Sequence, residues 1–572
     1  MSEARRVKSR AGCLQCKRRK VKCDLAVPGC QQCRRQKLSC PGYQKPLKWI
    51  DGPEDPKSKI PQARSMHQFN SSEVAELNRE ESTSGLEGSG TSCLHMQVPS
   101  ISPQLDHESS SLIHHYFTRV CRIAGCFDSS LSPFRTVSAS MMTYSKPVLL
   151  FLQASSAAQL SRQHPQMRFK ALKLQSEAFS AVRNEIGNLQ GPVVSDELML
   201  SCIIAGLTSA WYDVNDIGLS HVSGSQVLLS LWLMSQRGRL KYQQTFILGS
   251  YIYWFMNAAF VAGDPRESFH YQEALQYIVR NLDMSHDIIN DSDIPEHLRK
   301  VLPHPLTGFS MQLCISVGKV GSLCRLRYSC MAQPNYDELQ EFLEERAQYV
   351  ESELLELVQS YQSNFKDPED PHTTVEEILS VGEAYRCAGL LQLYTTFPHL
   401  LQQQVQLSSR NTSGNSETEL PQEMETMRLD SIAEFTTLQH NWLRALSFHI
   451  LKILETIPPT SGTRALQGLP VLIAATWLVD PMNDDSSGSD EGRNQIPFEH
   501  PHLPLRKSSS SKEYWRQLVQ VGLRQHNEYV SLQQVSRILE IVEEIWRLDD
   551  KGEEKCHWMV VVASKGLQTL YG

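Results

Sequence analysis

Residues 13–40 read CLQCKRRKVKCDLAVPGCQQCRRQKLSC, and this stretch decides how the N-terminal part of the chain folds. Its six cysteines, Cys13, Cys16, Cys23, Cys30, Cys33 and Cys40, follow the spacing C-x2-C-x6-C-x6-C-x2-C-x6-C, one C-x2-C-x6-C unit repeated after a loop. A C-x2-C step sets two sulfurs on one tight turn, close enough to share a metal ion, and the third cysteine closes the site from one element further on. Six thiolates cannot give two tetrahedral zinc ions four private ligands each, so two sulfurs must bridge. Cys13 and Cys30, the first of each half, are the symmetric choice. Two Zn²⁺ and six thiolates leave a core of about −2 formal charge, which calls for cations around it.

Those cations are present. Lys17, Arg18, Arg19, Lys20 and Lys22 crowd the segment between Cys16 and Cys23, with Arg34, Arg35 and Lys37 in the matching loop of the second half. Residues 1–50 hold 14 Lys and Arg against two acids, Glu3 and Asp24, a net +12; since the whole chain is −7, residues 51–572 carry −19. A small metal-stapled module this basic, on an acidic chain, is the electrostatic footprint of a nucleic-acid binder. The first 20 residues have no apolar h-region, so no secretory signal is expected, and in a reducing compartment such cysteines are metal ligands rather than a disulfide framework.

Arg10-Ala11-Gly12-Cys13-Leu14-Gln15-Cys16, the basic run, Cys23-Asp24, Pro28 and Cys40-Pro41-Gly42-Tyr43 together resemble the fungal binuclear zinc cluster transcription factors. The resemblance implies that Cys13, Cys16, Cys23 and Cys30 hold one zinc and Cys30, Cys33, Cys40 and Cys13 the other. It further implies that the short helix after Cys13 enters the major groove of double-stranded DNA, at a CGG-like triplet. On matching positions Lys20 would read base edges with Arg19 beside it, while Lys17 and Lys22 would hold phosphates. Lys17 stands where many relatives carry Arg, keeping the charge but losing the bidentate fork.

From Asp51 to about residue 106 the composition turns to Pro, Ser, Gly and Glu, which reads as a disordered linker. Many relatives place a coiled coil here. This chain has no apolar a/d run over three heptads, only the short stretch from Ser72 to Glu80, so a monomeric N-terminal segment is expected.

From 107 to 572 the apolar period is helical. Ile113, Tyr116, Phe117, Val120, Ile123, Ala124 and Phe127 make one stripe, Ala171, Leu174, Ala178, Ala181, Val182 and Ile186 a second, and Val535, Ile538, Leu539, Val542, Ile545 and Trp546 a third. Near-continuous apolar runs at Val148–Leu160, Leu198–Trp211 and Ala465–Val479 read as helices buried on most sides. The whole predicts a large all-α helical domain, interrupted by mobile loops at about 407–424 and 481–512. Tyr242 to Gly263 runs uncharged for 22 residues, but Gly249, Ser250 and Asn257 dilute it and no strongly basic flank marks one side, so it is read as a core helix and not a span.

Leu112-Ile113-His114-His115-Tyr116-Phe117, Pro133-Phe134-Arg135, Leu160-Ser161-Arg162, His221-Val222-Ser223-Gly224-Ser225-Gln226-Val227-Leu228-Leu229 and Ile545-Trp546 with Trp558 and Gly566-Leu567 resemble the second fungal-specific transcription factor domain, found in acriflavine-sensitivity-control-like regulators. That resemblance implies a nuclear, pathway-specific regulator of RNA polymerase II genes, for a metabolite cluster or a stress response, meeting co-activators or co-repressors through the helical domain. The sequence carries no H-E-x-x-H, G-x-S-x-G or P-loop, so no enzyme is expected. A zinc-dependent protein-interaction scaffold, or an enzyme with scattered groups in the helical domain, are the rival readings.

Overall fold

The computed structural model describes residues 15–16, 19, 21, 23–24, 30–36 and 38 and then 107–571, apart from 237–239, 262–263, 282–300, 309, 331–335, 358–364, 405–429, 480–510 and 554–556. The expected linker, the loop at 407–424 and the loop at 481–510 lie outside the described residues. The chain divides into two units, Met1–Ser100 and Ile101–Gly572. In the first, α1 (Gln31–Arg35) follows Cys30 directly.

The second unit is helical, and among the described residues β-type pairing is confined to isolated bridges such as Val301 with Phe365. It opens with α2 (His107–His115), which runs through a π-helical stretch, Tyr116–Val120, into α3 (Cys121–Ala124). The expected stripe is its buried side: Ile113, Tyr116, Phe117, Val120 and Ile123 are all in the core. Next come α4 (Pro133–Met141) and α5 (Lys146–Leu160). Ser145 accepts the Val148 amide and Pro147 sits in the first turn of α5, a start signal that costs no donor. α6 (Met167–Gly187) packs along α5 on Ala171, Leu174, Ala178 and Val182, while Ile186, the last residue of the expected stripe, is exposed.

The apolar run 198–211 is not one helix. α7 (Asp196–Leu207) stops at Thr208, and α8 (Ser209–Tyr212) starts there. After α9 (Leu219–Ser235) comes α10 (Tyr242–Ala259), the uncharged run, in which every residue from Phe246 to Ala259 is buried. No described helix is long and apolar enough to cross a membrane. α11 (Pro265–Asn281) leads to α12 (Met311–Cys330), which packs against α10, α11, α13 (Tyr336–Glu356) and α14 (Val375–Thr396). Two glycines make that position tenable: a methyl at Gly318 would lie 2.6 Å from Gln272 Nε2, and one at Gly321 would lie 2.8 Å from the Phe260 ring.

The last helices are α15 (Asp430–Glu455), α16 (Gly468–Ala475), α17 (Lys512–Val530), α18 (Gln533–Asp550) and α19 (Trp558–Lys565). The run 465–479 yields only the short α16 because its start is spent on a 3-10 turn, Gly462–Leu466. Ser511 and Lys512, placed by sequence at the end of a loop, open α17, with Ser511 accepting the Tyr514 amide.

A buried ionic network joins α11, α12 and α13. Lys319 Nζ lies 3.2 Å from Glu353 Oε2 and also reaches Gln276 Oε1; Arg280 Nη2 lies 3.2 Å from Glu353 Oε1, and Ser316 donates to Glu353 Oε2 at 3.0 Å. Lys319 is 1 % exposed, and burial pulls its ammonium below the usual lysine range against the opposing pull of Glu353.

Candidate metal centre and nucleic-acid interface

Cysteine spacing brings sulfurs from both halves of the repeat together. Cys16 Sγ and Cys30 Sγ are 3.6 Å apart, and Cys16, Cys30 and Cys33 are fully buried with their sulfurs all within 4.8 Å of one another. Cys30 also groups, within 4.8 Å, with Cys23 Sγ and an Asp24 oxygen. Two sulfurs at about 2.3 Å from one tetrahedral zinc stand ~3.8 Å apart, so the donor set fits the ion in both chemistry and separation. Cys30 is common to both groups, beside sulfurs from each half of the repeat. Cys13 and Cys40, the remaining expected ligands, lie outside the described residues.

The repeat seen in the cysteines recurs in the backbone. The Val21 amide donates to the Cys16 carbonyl at 3.1 Å, and the Leu38 amide donates to the Cys33 carbonyl at 2.9 Å. These are the same bond in the two halves, closing each first turn after its C-x2-C step. The Cys33 amide also donates to Cys30 Sγ at 3.3 Å, at the start of α1. A thiolate there is favoured by the aligned amides.

Sequence reasoning missed one residue. Asp24 accepts the Gln31 amide at 3.1 Å on one oxygen and the Gln32 amide at 3.0 Å on the other, so a side chain from the first half caps the helix of the second. Its only signal was a lone acid in a basic stretch; no local cap rule spans seven residues.

Of the expected DNA-binding cations, Arg19 is described and exposed, with its amide bonded to the Gln15 carbonyl at 3.1 Å. Lys17, Arg18, Lys20 and Lys22 lie outside the described residues. Arg34 and Arg35, in the last turn of α1, are exposed as well. The described cations of the module therefore face solvent, while Cys16, Cys30 and Cys33 are shut away from it and Cys23 is half-buried.

The helical unit holds its own titratable clusters. Glu383, Cys387 and His449 bring their ligand atoms within 4.8 Å of one another. Arg386 takes both Glu383 oxygens, at 2.6 and 2.8 Å, which makes this group a packed ion pair, and burial pushes the Cys387 thiol far up. Cys121, Cys126, Cys314 and Cys324 are buried thiols raised by the same desolvation. His115 reaches Gln159 at 2.8 Å and His114 does not share its face. His557 caps α19: its Nδ1 accepts the Met559 amide at 3.3 Å, and its Nε2 meets Gln392 Oε1 at 3.0 Å.

Residues 11–50 match the fungal Zn(2)-Cys(6) binuclear cluster domain, and residues 111–572 match the fungal specific transcription factor domain. No curated protein and no solved structure matches the chain. The binuclear cluster domain binds two zinc ions and DNA.

Proposed function

This chain belongs to the fungal specific transcription factor family, and from that premise we propose that it is a nuclear regulator reading CGG-like sites through its N-terminal module. The closeness of Cys30 to Cys16, Cys23 and Cys33 carries the reading, because it joins cysteines of both halves in one centre inside a module of net +12. In this proposal Cys13, Cys16, Cys23 and Cys30 hold one zinc, and Cys13, Cys30, Cys33 and Cys40 the other. The ions supply folding free energy and neutralise the thiolates. The chain's own cations do the rest. Lys20, with Arg19, takes base edges in the major groove, Lys17 and Lys22 pair with phosphates, and Arg18 belongs to the same DNA-binding run. The helical domain receives co-activators or co-repressors, and the genes form one biosynthetic or stress pathway.

The test is binding of purified full-length protein to one CGG-containing and one scrambled duplex at several salt concentrations. Lys20→Ala should cost roughly 1–3 kcal/mol on the CGG duplex and much less on the other. Lys17→Ala and Lys22→Ala should weaken both duplexes alike and lower the salt slope of log K by about one each. Equal loss on both duplexes for Lys20→Ala would overturn the base-reading role, and unchanged binding in all three would reduce the run to an import signal.

A further inference from the structure

The first, middle and last helices of the helical unit converge on a cavity of about 110 Å³. Phe134, Ile204, Trp211, Val535 and Ile538 give it mainly apolar walls. Several polar groups on those walls are satisfied by their surroundings. Ser155 donates to the Phe151 carbonyl at 2.8 Å, Thr208 to the Ile204 carbonyl at 2.8 Å, and the Gln534 amide to the Leu570 carbonyl at 3.4 Å. The Tyr116 hydroxyl meets Ser138 at 3.3 Å.

Three wall groups differ. The Tyr253 hydroxyl, although Tyr385 lies beside it, has no hydrogen-bond partner. Tyr571 is 1 % exposed and its hydroxyl has no hydrogen-bond partner. His526 Nδ1 is shut off from solvent and has none either. A buried donor or acceptor left unmatched is costly, so native interiors rarely keep one without a ligand or a water. All three groups are uncharged at neutral pH, the Tyr253 phenol being pushed up by burial as well. Burial pushes the Tyr571 phenol far up, and burial with the Arg464 charge nearby holds His526 down to about 4. Nothing in the walls therefore compensates an ionised ligand.

We propose that this cavity binds a small, uncharged, mainly apolar molecule with one hydrogen-bond acceptor, a carbonyl or ether oxygen, that takes the Tyr571 hydroxyl. The apolar body fills the space between α7 and α18, and the acceptor meets a buried hydroxyl with no neighbouring phenol beside it, unlike that of Tyr253. The inference is independent of the DNA reading, since ligand binding is measured without DNA.

Acetophenone and ethylbenzene test it, because they share a size and an apolar ring and differ by one carbonyl. Zinc-loaded full-length protein is titrated with each, and dissociation constants are read from the tryptophan fluorescence to which Trp211 in the wall contributes. Acetophenone should bind about five- to tenfold more tightly than ethylbenzene. Tyr571→Phe should erase that preference and leave ethylbenzene unchanged, whereas Ala465→Leu, which fills the cavity, should weaken both. Should one variant lose its helical circular dichroism, the other carries the test. Absence of saturable binding, which would mean that water alone fills the space, overturns the proposal. So does equal affinity for the two probes, or binding indifferent to the folded variants.

Discussion

The described core of the N-terminal module is Cys16, Cys30 and Cys33, with Cys23 packed against them, whereas the helical unit fully buries Trp232, Trp254, Trp442, Trp515 and Trp558 among many others. A module of some 40 residues has too little apolar surface to offset the entropy of ordering its chain, so metal–sulfur bonds replace a core. The helical unit has surface enough, and holds itself by packing. The consequence is that each unit should fail under a different insult.

Chelation should produce the largest effect. Removing zinc takes away folding free energy on the order of 10 kcal/mol from the module. Metal analysis should return two zinc ions per chain before treatment, and DNA binding should vanish after it. The helical circular dichroism and its thermal midpoint should stay where they were. A drop in that midpoint would mean that the helical unit leans on the metal and is not held by packing alone.

Next in size is the network at the centre of the helical unit. Glu353→Ala leaves Lys319 charged and buried, and should cost about 3–5 kcal/mol, read as a lower urea midpoint with zinc content unchanged. The pair Lys319→Met with Glu353→Leu should recover most of that loss, because an apolar pair needs no desolvation of ions.

A third measurement uses pH. Burial holds His557 down to about 3, and its neutral form is the one that both accepts from Met559 and meets Gln392. The unfolded imidazole titrates near the ordinary 6.5. Stability from this group is complete above that pH and is lost as pH falls from about 6.5 toward 3, because the unfolded chain takes up the proton first. His557→Asn, which keeps a capping oxygen, should flatten the acid limb of the helical unfolding curve by about 2–4 kcal/mol. A variant whose acid limb matches the wild type would assign the pH dependence elsewhere.

The smallest effect belongs to the module again. Asp24→Ala removes the acceptor for the Gln31 and Gln32 amides and should cost roughly 0.5–2 kcal/mol, seen as zinc release at a lower chelator concentration. An unchanged release curve would show that metal bonds alone hold the second half against the first.

How much of this was legible in the sequence differs between the units for a physical reason. Metal ligation demands residue types at fixed short spacings, so Cys16, Cys30 and Cys33 could be placed together from the six-cysteine register alone. Helical burial demands only a period, which located the sides of α2, α6 and α18 but not the ends of helices. That is why the run 198–211 was read as one helix although it turns at Thr208, and why the run 465–479 promised more helix than α16 delivers. Asp24 illustrates the remaining limit, since its partners lie seven and eight residues away across a repeat boundary.

What the sequence by itself determined is therefore the metal chemistry, the charge division between the two units and the helical class, each set by residue type and spacing along the chain. Only the tertiary structure decided which polar groups are enclosed: Lys319 against Glu353, His557 against Gln392, and Tyr571 with His526 on an apolar cavity. Those pairs lie 34, 165 and 45 residues apart, and burial, which shifts the protonation of Lys319, His557, Tyr571 and His526, arises only when distant helices close around them.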